Sequence, residues 1–300
     1  MATLAVPVRV SLQNILFATD FSPCSQAALP YALGLAHRYG SAFYMIHVVP
    51  AGKAESLSED TRQQIATLAK TRAFGTLTHH ELIEEGDVSN VLSSVVRRYD
   101  IDLIVLGTRG RQGISKLALG SVAEDIFRLS RCPVLTIGPQ VARGMYPDGD
   151  LRYILYATDF GPESVNALPY ALSLAREYRA TFSLLHVAPI PALPIDEPPA
   201  GPPVPYFDPR LISAVTLKQL RDLIPEGTDL WCEPEYFVEF GSPAETILRV
   251  AKEQSAGMIV VGVGRPKAWS PYLSTGTAYK VVCNAPCPVL SVGHWARQST

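Results

Sequence analysis

No apolar run in this 300-residue sequence reaches the roughly 18 residues that a membrane helix needs, so no spanning segment is expected. Charge is scarce as well. Only 18% of residues are charged and the net charge is −2, which leaves no field to gather a polyanion, so nucleic acid is not an expected partner. The opening MATLAVPVRV lacks the basic start and small-residue cleavage site of a secretory signal. The five cysteines are odd in number and scattered, which argues against a disulfide framework and for reduced thiols in a cytoplasm. Catalytic signatures are missing too: there is no G-x-S-x-G, no H-E-x-x-H and no paired-carboxylate pattern. No catalytic residue and no metal ligand is therefore assigned. His79 and His80 are adjacent in an expected strand and face opposite ways. Cys283, Cys287 and His294 look like part of a metal set, but the last two bracket an expected strand and read as structural. Cys24, near an expected helix start, has no second catalytic group to support it.

What is present is glycine, concentrated in one place. Residues 107–121 read GTRGRQGISKLALGS. They follow DLIVL at 102–106, which reads as a buried strand, and precede SVAEDIFRLS, whose Val122, Ile126 and Leu129 fall on one helical face. A glycine-rich loop between a strand and a helix N-terminus lets main-chain N–H groups converge on a phosphate. Gly107, Gly110, Gly113 and Gly120 allow the bend and the close approach of a ligand, while Arg109, Arg111 and Lys116 add positive charge. Ser121 either caps the helix or offers its hydroxyl to a phosphate. The spacing is neither a Walker A loop nor the dinucleotide G-x-G-x-x-G.

The chain is also a repeat. ILFATDF at 15–21 returns as ILYATDF at 154–160, and ALPYAL at 28–33 returns at 167–172, both 139 residues on. IVLG at 104–107 pairs with IVVG at 259–262, and CPVLTIG at 132–138 with CPVLSVG at 287–293, now 155 residues on. The second copy therefore gains 16 residues between its second and third strands, and the proline-rich stretch at 189–205 is the obvious place. Each copy reads as alternating strands and helices, an α/β fold with a parallel sheet covered on both faces. In the first copy, strands are expected at 15–18, 43–49, 78–83, 103–106 and 133–137, and helices from Ser22-Pro23 to Gly40, at 56–74 and at 88–99. Pro30 and Pro169 fall inside the first helix of each copy and are expected to kink it. Ligands of such sheets lie beyond the carboxyl ends of the strands, where strand order reverses. Strand one ends in Ala18-Thr19-Asp20 and strand four ends in the glycine loop, so both point to one crevice. Asp20 has two readings there, an acceptor for a ribose or amino group or a cap for the helix opening at Ser22. His47 and His186, each ending a strand near the crevice, read equally as packing groups or ligand contacts.

G-x2-G-x9-G-S, followed by a helix and then Cys-Pro-Val-Leu, resembles the ATP-binding signature of the universal stress protein family. The resemblance covers almost the whole chain twice, through ATDFS, the His-Val that ends strand two, Gly86-Asp87 before the third helix, and CPVL. It implies a stress-response protein that binds ATP, with or without Mg, and acts on an unidentified protein partner. By the resemblance, Ala18, Thr19, Asp20 and Val48 surround the adenine and ribose. Leu106, Gly107, Gly110, Gly120, Ser121 and Val122 hold the phosphates. The family often has proline where Ala18 stands. The resemblance further implies two Rossmann-like domains, each a five-stranded parallel sheet flanked by helices, paired through their fifth strands as separate family members pair. The expected limits are 1–140 and 151–300, with a linker at 141–150. Pairing the two apolar fifth strands within one chain removes two exposed edges and makes an internal pseudo-dimer. A further homodimer is left open.

The second copy departs from the signature. Arg265 stands where Gly110 is expected, and Thr275-Gly276 or Gly276-Thr277 replaces Gly120-Ser121, depending on the counting. The second copy is thus expected to lack an ATP site of the usual kind, although Asp159 and Val187 are kept. Enzymes of the wider superfamily that adenylate substrates carry S-G-G-x-D-S or H-I-G-H after strand one. This chain has ATDFSPCS there, which leaves at most slow ATP hydrolysis. The remaining alternative is a pairing module with no nucleotide.

Overall fold

The structure is a computed structural model that describes residues 10–49, 59–69, 74–108, 123–126, 130–141, 151–190, 208–264 and 276–293. The first copy supplies β1 (Asn14–Ala18), α1 (Pro23–Tyr39), β2 (Ala42–Val49), α2 (Glu59–Ala69), β3 (His79–Glu85), α3 (Val88–Arg98), β4 (Leu103–Gly107) and β5 (Val134–Ile137). Residues 123–126, after the glycine loop, are helical. The second copy supplies β6 (Tyr153–Ala157), α4 (Pro162–Tyr178), β7 (Thr181–Ala188), α5 (Pro209–Asp222), β8 (Glu235–Phe240), α6 (Pro243–Glu253), β9 (Met258–Val263), α7 (Thr277–Asn284) and β10 (Val289–Gly293).

All ten strands form one sheet in the order β3-β2-β1-β4-β5-β10-β9-β6-β7-β8. Pairing is parallel within each copy and antiparallel at the seam, where Leu290 lies opposite Leu135. The expected join through the fifth strands is therefore the observed one. Side-chain chemistry explains which edges meet. β5 reads VLTI and is wholly buried, whereas the outer strands β3 (HHELIEE) and β8 (EYFVEF) carry Glu81, Glu84, Glu85, Glu235 and Glu239. Charge blunts an outer edge; an apolar edge needs a partner. At the seam the Thr136 hydroxyl also donates to the Val289 carbonyl at 3.2 Å.

One hydrophobic cluster fills each face of the sheet. Phe17, Phe43 and Leu135 pack with α1 and α4 on one side, together with Tyr156, Phe182 and Leu290 of the second copy. Leu16, Ile46, Leu106 and Val134 pack on the other with Leu92, Ile126, Ile247 and Val282. Both clusters cross the seam, so the copies share their cores. His79 lies tilted against Phe74 and His80 stacks on Tyr44, members of opposite clusters, as the alternation of a strand requires.

Local signals act where they stand. The Ser22 side chain caps α1 by accepting from the Ser25 N–H, Pro23 occupies the first turn, and Gly40 closes the helix at φ 67°. Asp87 caps α3 by accepting from the Asn90 N–H at 3.0 Å. Pro30 and Pro169 lie inside α1 and α4, which continue past them. Two boundaries differ from expectation by more than one residue. β3 extends to Glu85 because β2 pairs with it as far as Val49. Phe74 is not in α2 but in a tight turn, where its ring packs edge-on against Phe43 at 5.5 Å. All but the first two residues of the proline-rich stretch, and most of the linker, lie outside the described residues. Among the described residues, no helix is long and apolar enough to cross a membrane.

Candidate functional site

β1 and β4 are neighbours, with Ala18 level with Leu106, so the two motif-bearing strand ends meet. Ala18 and Val48 pack on the same hydrophobic cluster as Leu106, so the three belong to one side of the sheet. That side is bounded by the start of α3 and by residues 123–126, which the Ser89 hydroxyl ties together by donating to the Asp125 carboxylate at 3.0 Å. Ala123 and Ile126 are buried there, so the chain returns to the core directly beyond the glycine loop. Gly110, Gly120, Ser121 and Val122 lie outside the described residues, as do Arg265 and Thr275 of the second copy.

Gly107 is required by packing. A Cβ on it would sit 2.6 Å from the Cys24 carbonyl carbon and 2.6 Å from the Ser25 nitrogen. The first turn of α1 therefore lies against the end of β4, and the helix brings its positive end to the start of the glycine loop. Gly262 does the same in the second copy, where a Cβ would lie 2.3 Å from the Ser164 nitrogen. Room for the helix is thus one reason for a glycine at 107 and at 262.

Thr19 and Asp20 turn inward on their own loop. The Thr19 hydroxyl accepts from the Phe21 N–H at 3.0 Å and lies 3.2 Å from the Ser25 hydroxyl. Asp20 Oδ1 accepts from the Ser22 N–H at 3.0 Å. Asp20 thus braces the turn that leads into the helix, and the cap itself is Ser22. Between them Phe21 has φ 61°, a left-handed conformation that costs a bulky residue roughly 1–3 kcal/mol. Its ring lies 4.7 Å from the His47 ring, and His47 Nδ1 lies 2.8 Å from the Thr19 carbonyl oxygen. Since that oxygen only accepts, Nδ1 carries the proton.

The second copy repeats the turn. Phe160 has φ 62° and lies 4.7 Å from His186, whose Nδ1 is 2.9 Å from the Thr158 carbonyl oxygen. Asp159 Oδ1 accepts from the Gly161 N–H at 2.9 Å and from the Ser164 hydroxyl at 2.8 Å. One charge differs. Glu163 stands where the first copy has Cys24, and its Oε1 is 3.7 Å from the Cβ position of Gly264. A carboxylate thus lies at the start of the second loop. Sequence reading missed both the Phe–His pair and Glu163. The retained phenylalanine was visible in the repeat, but nothing in a linear pattern marks a positive φ.

The cysteines read as structure. Burial pushes the Cys132 and Cys287 thiols up to about 12, far from reactive thiolates. Cys283 is buried as well, and His294 lies outside the described residues.

Comparison with known proteins agrees with the repeat. The profile of the universal stress protein family matches residues 11–138 and again 151–293. A universal stress protein of Methanocaldococcus jannaschii is 29% identical over 139 residues, covering 42% of this chain and 81% of that protein. A universal stress protein A homolog of Coxiella burnetii is 27% identical over 140 residues, 42% of this chain and 95% of that protein. The crystal structure of a universal stress protein from Archaeoglobus fulgidus superposes with a TM-score of 0.72 at 20% identity, covering 95% of this chain and 100% of that one. At that identity the likeness speaks for the fold of both copies together.

Proposed function

Since this chain belongs to the universal stress protein family, we propose that its amino-terminal copy binds ATP and that the chain is a stress-response regulator whose contacts with a protein partner follow that nucleotide. The observation that carries the reading is the meeting of β1 and β4 at Ala18 and Leu106, which joins two distant pieces of the motif in one crevice. Among the described residues the crevice offers Ala18, Thr19 and Val48 around a purine and its ribose, with Asp20 as an acceptor at its rim. Leu106, Gly107, Gly110, Gly120, Ser121 and Val122 would hold the phosphates of ATP, with or without Mg. The domains are taken as 1–140 and 151–300, with 141–150 as linker.

Two features support an asymmetric pair. Arg265 replaces the second glycine of the signature, and Glu163 sets a negative charge beside the second loop, where it opposes a phosphate. A pairing module without nucleotide is the second reading, favoured by the shared ten-stranded sheet. The test is to denature purified protein and identify any released nucleotide by mass, then titrate ATP calorimetrically. One ATP per chain supports the first reading, and Gly110→Arg, copying the second copy, then abolishes binding while the circular dichroism spectrum stays unchanged. No released nucleotide and no heat of binding leaves the pairing module. Turnover of added ATP would make the chain a slow hydrolase as well.

A further inference from the structure

The last main-chain bond between β1 and β2 is Thr19 N–H to Ile46 carbonyl, at 2.9 Å. Beyond it the ladder ends, yet both strand ends continue into the crevice, one as Thr19-Asp20 and the other as Val48. The His47 side chain spans this gap. Its Nδ1–H reaches the Thr19 carbonyl at 2.8 Å, and its ring packs on Phe21, the residue held at φ 61°. Phe21 is fixed on its other side as well, since the Gln26 amide donates to its carbonyl at 3.0 Å. Resting on the nucleotide reading above, we infer that His47 and Phe21 are positioning residues for it: they lock the ends of β1 and β2 at one separation, so that Asp20 and Val48 stand ready for the nucleoside. Neither residue need touch ligand. A left-handed phenylalanine persists only where its surroundings over-determine it, and here a ring, an amide and a hydroxyl do so. Prior ordering of a site lowers the cost of binding.

The second copy supplies an internal control, because Phe160 and His186 make the same clamp beside the divergent loop. The experiment measures calorimetric ATP affinity and melting temperature of the full chain for His47→Ala, His47→Asn, Phe21→Ala, His186→Ala and Phe160→Ala. Loss of the clamp's hydrogen bond weakens ATP about tenfold in His47→Ala, with a similar loss in Phe21→Ala. His47→Asn, whose amide can replace the Nδ1 donor, restores affinity to within about threefold of the parent, a rescue that general destabilisation does not give. His186→Ala and Phe160→Ala lower the melting temperature by similar amounts and leave ATP affinity unchanged. Parent-like affinity in both His47→Ala and Phe21→Ala, or equal losses from the second-copy variants, overturns the inference. If His47→Ala does not fold, His47→Gln, which cannot place a donor at the Nδ1 position, takes its place. A parent chain that takes up no ATP overturns the nucleotide reading and the clamp's role with it, whereas normal parent binding with unmoved variants overturns only the clamp.

Discussion

Gly107→Ala tests the packing of α1 on β4 directly. Neither Gly107 nor Gly262 needs a positive φ, so an alanine is conformationally allowed at both. Entropy alone would then make the change stabilising by about 0.4–1 kcal/mol. The contacts reverse that sign. The new methyl at 107 would lie 2.6 Å from backbone atoms of Cys24 and Ser25, and ordinary contact starts at 3.4 Å, so the first turn of α1 must retreat by about 0.8 Å. At 262 the nearest atom is 2.3 Å away and the retreat is about 1.1 Å. The obstacles are helix backbone, not the tips of flexible side chains. Overpacking of this kind costs roughly 1–3 kcal/mol, which lowers a melting temperature by about 2–12 °C. Gly138→Ala is the control, because its Cβ would meet nothing nearer than 3.8 Å, and it keeps or raises the melting temperature. Calorimetric scans of the three variants decide the matter, with Gly262→Ala expected to fall furthest. Equal stability in all three would mean that α1 and α4 do not press on these strand ends, and the account of both glycines would fail.

Further outcomes follow from the same geometry. Leu135→Ala, at a wholly buried seam position opposite Leu290, costs about 2–5 kcal/mol, and because both cores cross the seam, the chain still melts in a single transition; two separated transitions in the parent chain would refute a shared core. Gly40→Ala puts a Cβ at φ 67° and costs about 1 kcal/mol in a urea titration, whereas Gly227→Ala at φ 78° does the same without touching α1. Alkaline stability falls between pH 9 and 12. Burial raises Cys132 and Cys287 from 9.0, and Tyr156 and Tyr170 from 10.0, all to about 12. The unfolded chain therefore releases these protons first, and the stability they give is whole below the unfolded values and lost as pH rises toward the folded ones. Urea midpoints measured from pH 8 to 11 check this, and Tyr156→Phe, which also removes the 2.7 Å bond to the Ser164 carbonyl, gives a shallower decline.

The order of strands and helices, the duplication and the seam were legible in the sequence, because each rests on a periodic or compositional signal. The family resemblance implied the join of the fifth strands, and the apolar β5 and β10, set against the glutamates of β3 and β8, agree with it. Helix ends were legible where a single residue sets the backbone, as Ser22 and Gly40 do. Boundaries that depend on a neighbour were not. Phe74 leaves the helical register to pack on Phe43, and β3 runs on because β2 is there to pair with it.

At the site, sequence named the candidates: a signature loop in the first copy, and an acidic strand end and a His-Val pair that both recur 139 residues on. What each one does there was decided in three dimensions. Gly107 proves to make room for the backbone of α1, and Asp20 to brace the turn through the Ser22 N–H, neither of which a linear pattern shows. Phe21 carries no linear mark of its left-handed backbone, and Glu163 no mark of its place beside Gly264. Composition and spacing record what a residue can do. Which of its capacities is used depends on the atoms that the fold brings within about 3 Å of it, whether from the same turn, as Ser22 to Asp20, or from another strand, as His47 to Thr19.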